Sequence, residues 1–145
     1  MAFSSTMRTK VYLGTTKPAL TVADYGTDTF TEVTGLTSLG DFGDEFEVTE
    51  FNTINDGRKH KVKGSADAGN WDFEVARDPG DAGQIACRAA AKSPEVYNVK
   101  VVLVDGSKFY FSGAITSAKL TFGENTVNKQ KFQVGITTEV FEVAA

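Results

Sequence analysis

Apolar and polar residues alternate with a period of two along most of this chain, and this pattern constrains its fold most strongly. The stretch "WDFEVAR", residues 71–77, is typical, and "EFEVTEF", residues 45–51, places Phe46 and Val48 on one face. Successive side chains of a strand point to opposite faces of a sheet, so alternation predicts strands with one buried and one solvated face. The apolar positions are mostly β-branched or aromatic, which also favours strands. We therefore predict a mainly β fold.

The clearest hairpin is predicted around Asp105 and Gly106, which separate two alternating runs in "YNVKVVLVDGSKFYFSG". A two-residue turn there mixes apolar and polar residues on each face. A three-residue loop, residues 104–106, with Gly106 in the left-handed region instead pairs Val101 with Phe109. We prefer this register, because a slip of one residue moves every apolar side chain to the wrong face. The predicted core face is Tyr97, Val99, Val101, Leu103, Phe109 and Phe111.

Further strands are predicted on both sides of this hairpin. "TKVYLG" and "TFTEVTGL" come early, separated by a loop rich in Gly, Thr and Asp, and "AITSAKLTFG" and "KFQVGITTEV" come late, joined by the polar connection "ENTVNK". The apolar faces of the two late strands are expected to hold Ala118, Leu120 and Phe122, and then Phe132, Val134 and Ile136.

One helix is predicted, at about 79–93. Asp78 is the expected N-cap, Pro79 takes the first helical position, and Pro94 stops the helix after an alanine-rich middle. Gly80 and Gly83 weaken its first turns, so packing against the sheet must hold it. The side expected to pack consists of Ile85, Ala86, Cys87 and Ala89.

The chain is expected to form a single domain, residues 1–145. Hydrophobic residues make up 41% of the sequence and charged residues 23%, which is globular composition. The start lacks the long apolar stretch of a secretory signal, and no apolar run approaches the ~20 residues of a membrane span. A formal net charge of −4 argues against a protein whose main role is to grip nucleic acid.

Residues 40–70 carry acidic side chains first and basic side chains second, with "NDG" between them. This layout is compatible with a long hairpin or arm that leaves the core and meets opposite charges on neighbouring molecules. The candidate arm residues are Asp41, Asp44, Glu45, Glu47, Glu50, Asp56, Arg58, Lys59, Lys61 and Lys63.

The basic part of this segment, "NDGRKHKVKG", has three open interpretations: a nucleic-acid contact, a solvated strand face and a protein–protein contact. Nucleic acid is the least favoured, because no aromatic residues are interleaved to stack on bases and the preceding acidic run opposes the field of the lysines.

Residues with catalytic potential are few. We interpret His60 as a solvated or interface histidine, and Cys87 as a small buried side chain among alanines. Carboxylates two residues apart, such as Asp72 and Glu74, are routine on the solvated face of a strand. A single Cys and a single His also lack the spacing of a zinc site. We predict no catalytic, cofactor-binding or metal-binding residues.

Taken in order, these features resemble the major tail tube proteins of long-tailed, lambda-type bacteriophages, in the superfamily of tail tubes and type VI secretion tubes. The resemblance covers about residues 35–137. It rests on the acidic strand before the arm, the "WDFEV" strand, the "DPGDAGQ" helix entry, the hairpin that ends in "FSG", and "TSAKLTFGENTVNKQKFQVGI". The order and spacing of these parts, rather than any one motif, carry the resemblance.

The resemblance implies an α+β variant of a mainly β fold: two packed antiparallel sheets, one flanking helix, and a long arm at about 41–66 that reaches the adjacent ring. It implies hexameric rings that stack into a hollow tube and conduct DNA from the capsid to the host cell. Since the chain ends at Ala145, no C-terminal immunoglobulin-like domain is expected. Implied partners are other copies of the chain and the tape measure, tail terminator and distal tail proteins, in a virion tail made in the host cytoplasm.

An acidic chain suits a conduit, because an anionic lumen gives DNA no affinity from counterion release. Asp72 and Glu74 are the candidate lumen-facing residues.

One alternative function is a tube subunit of a contractile tail or type VI-like secretion apparatus. A distant alternative is a small hydrolase, which requires a cleft with a perturbed base.

Overall fold

The computed structural model describes residues 5–123 and 127–144, so residues 124–126 of the predicted "ENTVNK" connection lie outside the described part. In chain order the elements are β1 (Lys10–Leu13), α1 (Val22–Gly26), β2 (Thr31–Val33), β3 (Leu36–Leu39), β4 (Glu45–Asn52), β5 (Lys59–Asp67), β6 (Asn70–Ala76), α2 (Ala82–Ala91), β7 (Tyr97–Val102), β8 (Lys108–Thr121), β9 (Lys129–Ile136) and β10 (Phe141–Val143).

The strands form two antiparallel sheets. Eight strands make one sheet in the order β2-β1-β7-β8-β9-β6-β3, with β10 also paired to β8. Strands β4 and β5 form a separate two-stranded sheet. The prediction of a mainly β fold with two antiparallel sheets is confirmed.

Strand β8 joins the two halves of the large sheet. Residues 108–113 pair with β7, whereas residues 113–121 pair with β9. The register against β9 shifts between Ile115 and Ser117, which is the mark of a bulge, and bulges bend strands. Side chains of both halves therefore meet in one core, where Phe111 lies edge-on to Trp71 with 5.6 Å between ring centroids.

The hairpin of β7 and β8 has the predicted register. Val101 pairs with Phe109, and Val99 pairs with Phe111. Gly106 has a φ of 95°, a conformation that glycine adopts without steric cost. Every predicted core residue of this hairpin belongs to the main core or packs against it.

Helix α1 and strand β10 were not predicted. The helix begins with a capping box, in which the Thr21 and Asp24 side chains bond each other's backbone N–H groups. Its Tyr25 is fully buried and stacks on Tyr110, with 5.5 Å between ring centroids. Phe141 of β10 packs against the same small cluster. The segment between β1 and β2 is therefore packed against the sheet.

A chain of buried hydrogen bonds holds this segment in place. The hydroxyl oxygens of Tyr25 and Ser112 are 2.7 Å apart, and the Ser112 hydroxyl donates to Asn98 Oδ1 at 2.7 Å. Asn98 Nδ2 donates to Asp28 Oδ2 at 2.7 Å. These hydrogen bonds fix the relative positions of the elements that they join. If one element moved, a buried polar group would lose its partner, which raises the free energy of the folded state.

The predicted face of Ala118, Leu120 and Phe122 extends beyond the core. Ala118 pairs with Phe132 and packs against the core, and Leu120 pairs with Gln130 on the same face. Leu120 is nevertheless 46% exposed, and Phe122 is 69% exposed and follows the end of the strand. The apolar alternation predicted the face correctly but could not indicate where the covering layer stops.

The start of helix α2 differs from the prediction. The N-cap is Asp81 rather than Asp78, so Pro79 and Gly80 precede the helix. The Asp81 carboxylate accepts hydrogen bonds from Gln84 N–H at 3.0 Å and from the Thr34 hydroxyl at 2.7 Å. This contact with the β2–β3 turn selects Asp81, and it depends on tertiary structure.

The packed side of α2 was also only partly predicted. Cys87 is buried and Ala86 is half-buried, but Ile85 is 48% exposed and Ala89 is exposed. The buried residues are Gly83, Gln84, Cys87 and Ala90. A Cβ at Gly83 would overlap the backbone oxygen of Glu32, so the helix approaches β2 too closely for larger side chains on this side.

Gln84 joins three segments at the helix entry. Its Nε2 donates to the backbone oxygens of Thr34 and Ala76, at 2.8 and 3.0 Å, and its Oε1 accepts from Asp78 N–H at 2.9 Å. The side chain is fully buried.

Among the described residues, no helix has the length and apolarity needed to cross a membrane.

We predict that Gly83→Ala destabilises the protein although alanine is the better helix former. The added methyl group overlaps the backbone of β2, and overpacking of this kind costs about 1–3 kcal/mol. Urea unfolding followed by circular dichroism measures the change in unfolding free energy. Gly80→Ala is the control, since the nearest atom to its added Cβ lies at an ordinary 3.5 Å. Equal stability of the two variants would contradict the close approach.

We predict a loss of stability in acid that depends on Asp28. Burial raises the pKa of this carboxyl, but hydrogen bonds from Thr15, Asn98 and Thr29 outweigh burial and lower the pKa below its ordinary value. A lowered pKa stabilises the fold above the unfolded-state value of about 3.9, and this contribution is lost as the pH falls through the folded-state pKa. In urea unfolding at a series of pH values, Asp28→Asn flattens the acid dependence, whereas the exposed Glu95→Gln does not. Parallel curves for wild type and Asp28→Asn would disprove this role.

Candidate assembly surfaces

Strands β4 and β5 and the turn between them form a hairpin, residues 45–67, where the arm was predicted; we call it the arm. All residues of both strands are exposed except His60, which is half-buried. The two strands pair with each other in a sheet of their own. Since a lone two-stranded hairpin is marginally stable in water, this arm is suited to contact a second molecule.

The arm has two chemically different sides. Cross-strand partners share a side, and Lys63 Nζ lies 3.5 Å from the centre of the Phe46 ring. The lysine side, as we call it, consists of Phe46, Val48, Glu50, Lys59, Lys61 and Lys63. The glutamate side consists of Glu45, Glu47, Thr49, Phe51, His60 and Val62.

Part of the arm's charge is balanced inside the arm. Glu50 pairs with Lys59 at 3.5 Å and with Lys61 at 3.9 Å. The acidic and basic runs therefore form ion pairs with each other inside the arm, whereas the sequence analysis considered only contacts with neighbouring molecules. Within residues 5–123 and 127–144, Asp41, Asp44, Glu45, Glu47, Arg58 and Lys63 make no ion pair.

The turn of the arm is organised by Asp56. Its carboxylate accepts hydrogen bonds from the Thr53 hydroxyl and from Arg58 N–H, and these bonds lower the pKa of Asp56. His60 Nε2 lies 3.1 Å from Asp56 Oδ2, and its ring stacks on Phe51 with 5.4 Å between centroids. His60 is thus half-buried within the arm and is part of the arm's own structure.

Apolar side chains are exposed on both sides of the arm and at its tip. Phe46 and Val48 lie on the lysine side, Phe51 and Val62 on the glutamate side, and Ile54 in the turn. Exposed apolar groups gathered on one small element mark an interaction surface. The arm therefore offers contact area on two sides.

Asp72 and Glu74 lie on the outward face of β6 and β9, opposite the core. Asp72 pairs with Lys131 at 3.0 Å, and Glu74 pairs with Lys129 at 3.8 Å. Lysines of β9 therefore balance both candidate lumen carboxylates locally.

Strand β3 and residues 114–121 of β8 each have one unpaired edge among the described residues. Strand β3 pairs with β6 on one edge, and residues 114–121 of β8 pair with β9 on one edge. An unpaired edge is a template for pairing with another chain. Together with β6 and β9, these strands form a four-stranded portion of the sheet with open edges on both sides.

The sequence matches the phage tail tube protein (TTP) family over residues 5–145. The chain belongs to this family. No curated protein matches the sequence significantly.

Solved structures agree in fold with this tail tube protein. A chain of the 6-fold symmetrised anti-feeding prophage (AFP) baseplate has a TM-score of 0.78 at 10% identity, covering 99% of this chain and 97% of that chain. The SPP1 tail tube gives 0.66 at 13% identity, covering 94% and 77%. The extended sheath-tube complex of PVC, an extracellular contractile injection system, gives 0.65 at 13% identity, covering 98% and 92%.

The prediction of a structural tail tube subunit is confirmed by the family. Sequence reasoning placed the arm but missed the two open edges, because pairing partners are set by the whole sheet. It also missed the exposure of Leu120 and Phe122, for which the sequence carries no signal.

Within the described residues, no group of three or more His, Cys, Asp or Glu side chains is arranged to hold a metal ion.

We predict that Cys87 of this tail tube protein is inert to thiol reagents while the protein is folded. The side chain is fully buried, and burial raises the pKa of its thiol to about 12. Because the thiolate is the reactive form, labelling by a chromogenic disulfide reagent is expected only after unfolding in urea. Rapid labelling of the native protein, with an unchanged circular dichroism spectrum, would contradict the buried position.

Proposed function

We propose that copies of this chain form rings of six, and that the rings stack head to tail into a hollow tube that conducts DNA from capsid to host cell. Family membership supports a tube, and the anti-feeding prophage structure of the same fold was symmetrised sixfold. Head-to-tail stacking is a heterologous contact, which produces a filament rather than a closed oligomer.

Ring closure is proposed through the two open edges. In a ring, the free edge of β8, residues 114–121, pairs with β3 of the neighbouring subunit. This pairing continues the sheet around the ring and removes exposed edges, which otherwise risk aggregation.

The outward face of β6 and β9 is proposed to line the lumen. Asp72 and Glu74 lie on this face, each paired with a lysine. A face with balanced charges displaces few of the cations condensed on DNA, so DNA slides along it rather than binding tightly. This differs from the anionic lumen expected from composition, because the lysines of β9 offset the carboxylates.

Stacking of rings is proposed to use the arm, residues 45–67, and this element carries the proposal. It has its own sheet, exposed strands and apolar groups on both sides. Such a hairpin gains stability when a neighbouring ring covers it. The arm's candidate residues, including Asp41 and Asp44 at its base, are proposed to contact the adjacent ring.

The remaining partners are proposed from the family: a tape measure protein inside the tube, and terminator and distal tail proteins at its ends, in a virion tail. A tube inside a contractile sheath is the second candidate, since the PVC sheath-tube complex shares the fold. A sheath gene beside the gene for this chain distinguishes the two. The single-domain organisation, residues 1–145, stays a prediction.

We predict that the concentrated purified protein forms hollow tubes in negative-stain electron micrographs. Reversal of Lys59 and Lys61 to Glu is expected to abolish the tubes and leave the subunit folded. The tubes are expected to be lost because the reversed charges disrupt the proposed contact of the arm with the adjacent ring. The subunit is expected to stay folded because the arm lies outside the core and its exposed ion pairs contribute only ~0.2–1 kcal/mol each.

A charge-swapped variant separates contacts within the arm from contacts with the next ring. Glu50→Lys combined with Lys59→Glu and Lys61→Glu restores opposite charges inside the arm. If the lysines contact the adjacent ring, this triple variant still fails to form tubes. Lys92→Glu, at an exposed position on α2, is the control and forms tubes. Normal tubes from the triple variant would mean that the lysines act only within the arm.

A further inference from the structure

The strand pair β6 and β9 has two ends that carry different surfaces. The arm joins β6 through residues 68–69, so it leaves at the end where Asn70 pairs with Gly135. At the opposite end, Ala76 pairs with Lys129. These two residue pairs are six steps apart along each strand, so at about 3.3 Å per residue the two ends are roughly 20 Å apart. Thr121 at the end of β8 pairs with Lys129 at this second end, which we call the far end.

The far end presents apolar and basic groups together. Leu120, Phe122 and Val127 are exposed there, and Phe122 and Val127 are the most open at 69% and 61%. Arg77 follows β6, and its backbone N–H donates to Asn128 O at 2.9 Å. Arg77 is exposed and makes no ion pair within the part of the chain that the structure describes.

The glutamate side of the arm is complementary to the far end in chemistry. Phe51 and Val62 are exposed apolar groups, 46% and 52% open. Glu45 and Glu47 lie on the same side and make no ion pair among the described residues. The lysine side does not match, because Lys59, Lys61 and Lys63 repel Arg77.

The placement of these surfaces suits a stack. A head-to-tail contact joins two different patches of the same molecule, one at each end. The arm leaves one end and the far end lies about one strand length away, as such a stack requires. Strand β4 has 8 residues and spans roughly 26 Å, so the arm is long enough to lie along the body of the next subunit.

We propose that the far end of each subunit receives the glutamate side of the arm from a second copy in the adjacent ring. Phe51 and Val62 then pack against Leu120 and Phe122, and Glu45 and Glu47 face Arg77. This inference rests on the proposed function, since it names the receiving surface of the stacking contact.

Disulfide cross-linking in assembled tubes tests the proposal. Val62→Cys and Phe122→Cys are introduced together, and copper phenanthroline with oxygen oxidises neighbouring thiols. The buried native Cys87 does not interfere. We expect loss of the monomer band and a ladder of covalent multimers on a non-reducing gel, because each subunit bonds to the ring above and the ring below. Single-cysteine variants give no ladder.

The matched control replaces the far end by the opposite end of β8. Val104 is also an exposed apolar residue, 45% open, but it lies in the turn before Lys108 rather than after Thr121. Val62→Cys with Val104→Cys is expected to stay monomeric on the gel. A ladder from this pair, or none from the first pair in normal tubes, overturns the assigned surface while the proposed function stands. Absence of tubes from wild-type protein instead rejects the proposed function.

A second variant keeps the test decisive if cysteines at these positions prevent assembly. Leu120→Ser with Phe122→Ser removes only exposed apolar groups, so the thermal midpoint of the subunit is expected to stay unchanged. Loss of tubes from this folded variant supports the proposal. Tubes of normal length would overturn it.

Discussion

Strand β8 is hydrogen-bonded to β7, β9 and β10, and both halves of the large sheet depend on it. Its bulge near Ile115 bends the sheet so that Phe111 meets Trp71 across the core. The same strand sets the polarity of the subunit. Beyond Gly113 it follows β9 to the far end, while the arm leaves from the opposite end through β6.

The arm illustrates how a stable subunit can contain an element that is suited to assembly. The core, the buried polar chain at Asn98 and the contacts of Gln84 stabilise the body without the arm. The arm keeps its shape through its own ladder, the turn bonds of Asp56 and the stacking of His60 on Phe51. Its exposed apolar groups become favourable only when another surface covers them.

The net charge of this protein does not show how its charged side chains are paired on the surface. The chain is acidic overall, yet Glu50, Asp72 and Glu74 are each paired with lysines on the neighbouring strand. Exposed pairs of this kind add little stability. Among the described residues, other charges make no ion pair, among them Glu45 and Glu47 on the arm and Arg77 at the far end.

The class of fold, the β7–β8 register and the presence of the arm could all be predicted from the amino-acid sequence. Alternation and the separation of acidic from basic residues are local patterns, and a wrong register would have exposed Val99 and Val101. Tertiary structure decided where helix α2 starts, since Thr34 selects Asp81 over Asp78 as the cap. It also decided which side of the helix packs, because Gly83 meets the backbone of β2. The exposure of Leu120 and Phe122 likewise depends on where the covering layer ends, which no local pattern of residues records.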